Sequence, residues 1–365
     1  MSTEKVAGKV AGKAGARPGG AAAELVWHQH PSSARGRLLV WLVRALVWVT
    51  SFSRRRAQHR LDLDASRKGA LALENRIASV PESAVVTPVQ DAPVAGAWLR
   101  MPRSVPERVV LYIHGGSFIL ERTKLHTALA AHLCEAGAAQ AFMVDYRLAP
   151  EDPFPAQIDD IKAAYRWLLA QGWRSDQIAF VGDSTGGGLA LSALVSLRDE
   201  GARLPAAAVL LTPWADLTFS GASILTNARR DPMMHGLDVM TFCRQLYLQG
   251  ASPGDPLASP VFAALHGLPP LLVQAADIDV LRDDAVRIGE GVHRAGGEVA
   301  CSLYQKTPHG WQRLGPVTRE GREAIEEVGA FLRDKVAVRP KGSGGLPREG
   351  EQPREAEQRY ATDKI

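Results

Sequence analysis

Between Ser83 and Leu332 the chain alternates short apolar runs, rich in Val, Leu, Ile and Ala, with longer stretches whose apolar residues recur every three or four positions. Runs of the first kind fit strands buried on both faces, and the periodic stretches fit the helices that cover them. The pattern predicts strands over 84–90, 95–101, 108–113, 140–146, 177–182, 206–212, 270–275 and 299–304. Helices are predicted over 124–136, 155–171, 186–200, 280–295 and 319–335. Such an order specifies an α/β domain, an eight-stranded, mostly parallel sheet with helices on both faces. Only Gln90-Asp91-Ala92-Pro93 separates the first two strands, which therefore read as an antiparallel hairpin.

One gap breaks the rhythm. From Trp214 to Leu268 no strand pattern occurs, only helical stretches with turns around Asp231-Pro232 and Ser252-Pro253. An insertion at the carboxyl side of a sheet strand sits where open α/β sheets bind ligands, so it reads as a cap. A second apolar piece, RLLVWLVRALVWVTSFSRRR at 37–56, precedes the sheet. Its apolar part carries Arg44 and is shorter than the ~20 residues a membrane span needs. Arg37, Arg44 and Ser51 fall on one stripe of a helix whose remaining surface is apolar, and such a surface must be covered. Two coverings fit: packing over the α/β domain, and peripheral contact of residues 37–60 with a membrane, where Arg54–Arg56 and Arg60 would meet anionic headgroups.

The divisions that follow are a basic arm (1–23) with no core-forming residues, amino-terminal cap helices (24–70), a catalytic domain (71–337) with its cap insertion at about 214–262, and a polar tail (338–365). The arm and the tail are expected to be disordered. A length of 365 residues with 46% hydrophobic composition supplies one large core. Charge is uneven: residues 1–60 hold eleven basic against two acidic side chains, which leaves the body slightly acidic and argues against a nucleic-acid partner. Three scattered cysteines, Cys134, Cys243 and Cys301, offer neither a disulfide framework nor metal spacing. They fit a reducing, cytoplasmic compartment, with membrane association through the arm as the added feature. The sequence leaves self-association open.

The candidate chemistry centres on FVGDSTGGGL, 180–189. A Walker phosphate loop would need a lysine after the glycines, and the dinucleotide fingerprint fails because Leu191 stands where its third glycine belongs. Gly182-x-Ser184-x-Gly186, set between a strand and a helix, instead matches the strained turn that presents a nucleophilic serine. A serine hydroxyl requires a base and an acid, expected in the order Ser, acid, His. His309, between Pro308 and Gly310 after the last strand, suits the base better than His293, which lies within a helical pattern. Asp277 and Asp279 share the loop after 270–275, and spacing alone does not separate them. Asp283 and Asp284 begin a helix, where carboxylates commonly stabilise the first turn. His114-Gly115-Gly116-Ser117 follows a strand, and the amides of Gly115, Gly116 and Ser117, with that of Thr185, are the candidate oxyanion hole. Phe118, Asp183, Trp214 and Trp41 are the candidate substrate-pocket residues, and the Trp-bearing lining suits an uncharged, hydrophobic substrate.

With these residues in place, the chain resembles the bacterial hormone-sensitive-lipase family of α/β-hydrolases, in the branch with a Gly-Asp-Ser-Ala-Gly elbow. The resemblance runs from about Ser83 to Leu332 through His114-Gly115-Gly116, Asp145-Tyr146-Arg147-Leu148-Ala149-Pro150-Glu151, Gly182-Asp183-Ser184, Pro213-Trp214-Ala215-Asp216-Leu217, Asp279-Val280-Leu281-Arg282-Asp283 and His309-Gly310. It implies the α/β-hydrolase fold with a helical cap, and it puts the acid at Asp279. The nearest members in appearance are acetyl-hydrolases and monoterpene ε-lactone hydrolases. Two positions depart from the family, Ser117 for a small residue and Thr185 for Ala, and both leave the backbone amides intact. Asp145, Arg147, Glu151 and Asp216 read as structural polar residues. The expected protein is a serine carboxylesterase on short- to medium-chain, uncharged esters, without metal or organic cofactor. Lactone hydrolysis and O- or N-deacetylation on the same triad are alternatives, and a non-catalytic ligand receptor is the remote one.

Overall fold

A computed structural model describes residues 25–42, 63–89, 91–233 and 236–338. The arm at 1–23, the tail beyond 338, Trp48 and Arg54–Arg56 lie outside the described residues. Nine strands form one sheet in the order β1-β9-β8-β7-β6-β4-β5-β3-β2. They are β1 (Trp27–His30), β2 (Val85–Val89), β3 (Gly96–Arg100), β4 (Val105–Ile113), β5 (Ala139–Val144), β6 (Ile178–Asp183), β7 (Ala207–Leu211), β8 (Leu271–Ala276) and β9 (Val299–Tyr304). All neighbours are parallel except β2–β3 and β3–β5. Eight of these strands are the predicted ones. The ninth, β1, corrects the reading of 24–70 as helical: Trp27–His30 pairs with Cys301–Tyr304 along the sheet edge.

The helices are α1 (34–42), α2 (Leu63–Ile77), α3 (Lys124–Gly137), α4 (Ala156–Ala170), α5 (Thr185–Asp199), α6 (Ser223–Thr226), α7 (Gly236–Leu248), α8 (Arg282–Arg294) and α9 (Arg319–Lys335). Along β4, Val109, Leu111 and Ile113 join the core under α4, α5 and α8, while Val110 and Tyr112 join the core under α3 and α9. Successive side chains of a strand point to opposite faces, so a strand buried on both sides shows an unbroken apolar run. The boundary expected at residue 70 falls inside α2. That helix runs on to Ile77 and is bound to α3, with Glu74 accepting from Thr123 Oγ1 at 2.7 Å and Asn75 from the Lys124 amide at 2.8 Å.

The chain runs from β4 outward to β5 on one side and returns to β6 on the other. Loops leaving β4 and β6 therefore diverge and open a crevice at the carboxyl edge of the sheet. Register sets Ile113 beside Gly182, so the turn at 114–118 and the turn at Ser184 lie side by side. Over them sits the 214–262 insertion, which carries α6 and α7. Asp284 Oδ2 accepts from the Ala215 and Asp216 amides, both at 2.9 Å, and Asp283 Oδ2 from the Ser223 amide at 2.8 Å, so the two helix-starting acids anchor the cap. Among the described residues no helix is long and apolar enough to cross a membrane.

Candidate active site

Ser184 joins the end of β6 to the start of α5 with φ 55° and ψ −123°. A non-glycine residue at positive φ is strained, and it persists only where the surroundings enforce it. The enforcement is steric. A Cβ on Gly182 would stand 2.2 Å from the Gly186 oxygen, and one on Gly186 would stand 2.0 Å from the Ile113 oxygen. Only glycine lets strand, turn and helix approach this closely. Ser184 is 7% exposed, with α5 starting immediately beyond it.

His309, in the loop after β9, places Nε2 2.9 Å from Ser184 Oγ. Its Nδ1 stands 2.9 Å from Asp279 Oδ2. A carboxylate can only accept, so Nδ1 carries the proton and Nε2 is the acceptor that faces the hydroxyl. Asp279 is buried, and its other oxygen accepts from the Leu281 amide at 2.8 Å. Burial alone would lower the His309 pKa, but the Asp279 charge and hydrogen bond, reinforced by Asp231 and opposed by Arg313, carry it above the ordinary value. Asp277 points elsewhere, toward Arg230 at 3.5 Å and the Lys306 amide, and His293 sits in the last turn of α8.

The turn after β4 holds Gly116, Ser117 and Phe118 at φ 126°, 55° and 67°. Among the described residues, no hydrogen bond takes up the amides of Gly116, Ser117 and Thr185. Gly115 differs and corrects the expected set: its amide donates to Asp183 Oδ1 at 3.1 Å. Asp183 corrects it a second time. It is 1% exposed and engaged by protein donors; its Oδ1 also accepts from Tyr112 Oη at 2.7 Å. The carboxylate beside the serine thus fixes the neighbouring turn.

Phe118 and Trp214 are both buried, their rings 5.5 Å apart, and Phe118 stacks on Tyr247 of α7 at 3.8 Å. Trp41 is 62% exposed on α1 and does not join them, a further correction. Its helix instead offers Leu39 and Val40 to an apolar cleft shared with Thr307, Pro308, Trp311 and Leu314, beside the loop that carries His309. One residue escaped the sequence reading. Asp231, buried in the cap insertion, accepts from the His309 amide through Oδ2 at 3.3 Å. Its only sequence signal is an Asp-Pro pair, which reads as a turn. Among the described residues, no group of three or more His, Cys, Asp or Glu side chains converges as a metal site.

A family model described as an α/β-hydrolase fold matches residues 110–313. An acetyl-hydrolase of Streptomyces hygroscopicus is 44% identical over 236 residues, 65% of this chain and 78% of its own. The chain belongs to the α/β-hydrolase family. A crystal structure of an esterase from the bacterial hormone-sensitive lipase family matches at TM-score 0.76 and 36% identity, covering 84% of this chain and 99% of that one. The crystal structure of EstE5 soaked with p-nitrophenyl butyrate matches at TM-score 0.75 and 35% identity, covering 84% and 100%. These likenesses place the hydrolase in the bacterial hormone-sensitive-lipase branch and make it a carboxylic-ester hydrolase.

Proposed function

We propose that this hydrolase is a serine carboxylesterase that cleaves short- to medium-chain, uncharged carboxylic esters through an acyl-enzyme. The reading rests above all on the unbroken chain of two 2.9 Å contacts from Ser184 through His309 to Asp279. Ser184 Oγ attacks the ester carbonyl as His309 Nε2 takes its proton. The amides of Gly116, Ser117 and Thr185 hold the oxyanion of the tetrahedral intermediate. The intermediate collapses as His309 returns the proton to the departing alcohol, and water then repeats the sequence on the acyl group. Asp279 keeps His309 in the tautomer whose Nε2 can accept.

Two observations bear on the substrate. The buried Phe118, Trp214 and Tyr247 rings beside the 114–118 turn suit an uncharged group, and the likeness to an acetyl-hydrolase favours acyl chains at the short end of the range. Cleavage of p-nitrophenyl acetate and butyrate by the wild type and by Ser184→Ala is the test. The expected loss in kcat is at least about 10³-fold; equal rates would overturn the proposal. Lactones and acetylated amides in the same panel define the substrate class.

A further inference from the structure

The cap insertion reaches the reaction centre through a short polar segment at 227–231. Asn227 Nδ2 donates to the backbone oxygens of Asp277 at 3.0 Å and Asp279 at 2.8 Å, bracing the loop that carries the acid. One turn further, the Asp231 amide donates to the Asn227 oxygen at 3.0 Å, which carries the Asp231 side chain toward the loop of the base. There Oδ1 accepts from the Met233 amide at 2.8 Å and Oδ2 from the His309 amide at 3.3 Å. Asp231 is 5% exposed. The charged groups it faces are Asp279 and His309; those facing His309 are Asp279, Asp231 and Arg313.

Among the described residues no cationic side chain is bonded to this buried carboxylate, which is costly, and burial together with the Asp279 charge pushes the Asp231 pKa up to about 7. A fold that keeps such a group beside the base gains something other than stability from it. We propose that Asp231 is a positioning residue for His309: it anchors the main chain of the base and sets a second negative charge beside the imidazolium that forms during the reaction. The cap thereby takes part in the proton transfer as well as in covering the site. This inference rests on the proposed roles of Ser184 and His309.

The test compares Asp231→Asn, which removes the charge but keeps an acceptor oxygen for one of the two amides, with Asp231→Ala, which removes the charge and both acceptors. Labelling of Ser184 by a fluorophosphonate is followed across pH beside kcat/KM for p-nitrophenyl butyrate. Because the three groups titrate together, the quantity read is the apparent midpoint of the acid limb. It is read over the pH range in which circular dichroism shows each variant folded. In Asp231→Asn the midpoint is expected about one pH unit below that of the wild type. In Asp231→Ala the plateau is expected to fall about tenfold further, as the loop of the base loses its anchor. Unchanged midpoints in both variants, with only the melting temperature altered, would reduce Asp231 to a structural group and overturn the inference. Absence of serine labelling in the wild type would instead defeat the serine mechanism itself.

Discussion

Two buried polar clusters flank Ser184, made of the same side-chain types and set to opposite tasks. On one side His309 faces Asp279 and Asp231; on the other, His114 and His126 stand behind the 114–118 turn with Asp183, Tyr112 and Tyr146. Burial works against charge on all three imidazoles. The Asp279 and Asp231 carboxylates reverse that for His309, whereas burial and the neighbouring His126 ring take His114 down to about 3, and burial lowers His126 as well. The difference lies in the partner of Nδ1. His309 donates to a carboxylate, which favours the imidazolium. His114 donates to the neutral Gly115 carbonyl at 2.6 Å, and His126 accepts from the Thr123 amide at 3.1 Å. The imidazole of the first cluster is built to take up a proton, and the two of the second stay neutral and hold backbone in place.

The largest expected effect breaks the second cluster. Asp183→Ala leaves the buried Tyr112 hydroxyl and Gly115 amide without their acceptor, and each unsatisfied group costs about 1–3 kcal/mol. With the 114–118 turn released, kcat is expected to fall about 10–100-fold, more than KM changes, because the Gly116 and Ser117 amides proposed to hold the oxyanion shift by a fraction of an ångström to an ångström. Thermal unfolding and p-nitrophenyl ester kinetics read the two effects. A wild-type kcat in this variant would mean that the Tyr146 hydroxyl on the His114 oxygen, at 2.8 Å, holds the turn unaided. Tyr112→Phe is the milder form, at about 1 kcal/mol.

The next effect sharpens the first cluster. A carboxyl whose folded pKa is raised keeps its proton while the unfolded chain releases it, so stability is present below the ordinary value of 3.8 and is lost as pH rises through about 7. Asp231→Asn removes that loss. The variant gives up one amide acceptor, so it should lie about 1 kcal/mol below the wild type near pH 4 and gain ~1–3 kcal/mol on it between pH 4 and pH 8, even as its catalysis weakens. Thermal unfolding at both values decides the matter. Equal destabilisation at pH 4 and pH 8 would show that the carboxylate carries no burial penalty.

Legibility in the sequence followed the range of the interaction that fixes each feature. Strands β2 to β9 and helices α3, α4, α5, α8 and α9 carry their pattern within a dozen or so residues, and they emerged within a few residues of their observed bounds, whereas α2 was cut by the boundary expected at residue 70. Strand β1 did not: Trp27–His30 reads WHQH, too short and too polar to show a period, and it becomes a strand by pairing with β9. The serine was legible because the glycines that cage it are its neighbours. Asp277 and Asp279 share one loop that spacing does not divide; the family resemblance put the acid at Asp279, and the ring nitrogen 30 residues away faces that carboxylate. The Gly115 amide was counted with the oxyanion donors because its acceptor lies 68 residues along the chain. Asp231 looked like turn punctuation, since its burial comes from the packing of the cap on the His309 loop.

The smallest expected effect tests whether the second cluster is as silent toward protons as its geometry implies. His126 is the third residue of α3, where its Nδ1 faces the Thr123 amide and its Nε2 stands 3.8 Å from Asp183 Oδ2. Since Nδ1 accepts, Nε2 carries the hydrogen and the ring is neutral. Glutamine at this helix position can supply an oxygen to the same amide, as in a capping box. His126→Gln should therefore lose about 1 kcal/mol or less of stability, keep kcat within about twofold, and leave the acid-limb midpoint where the wild type has it. The same kinetic assay that detects the Asp231→Asn shift serves as its control. A shift of similar size in His126→Gln would mean that charge behind the 114–118 turn reaches the base across Ser184, and the two clusters would then have to be treated as one titrating unit.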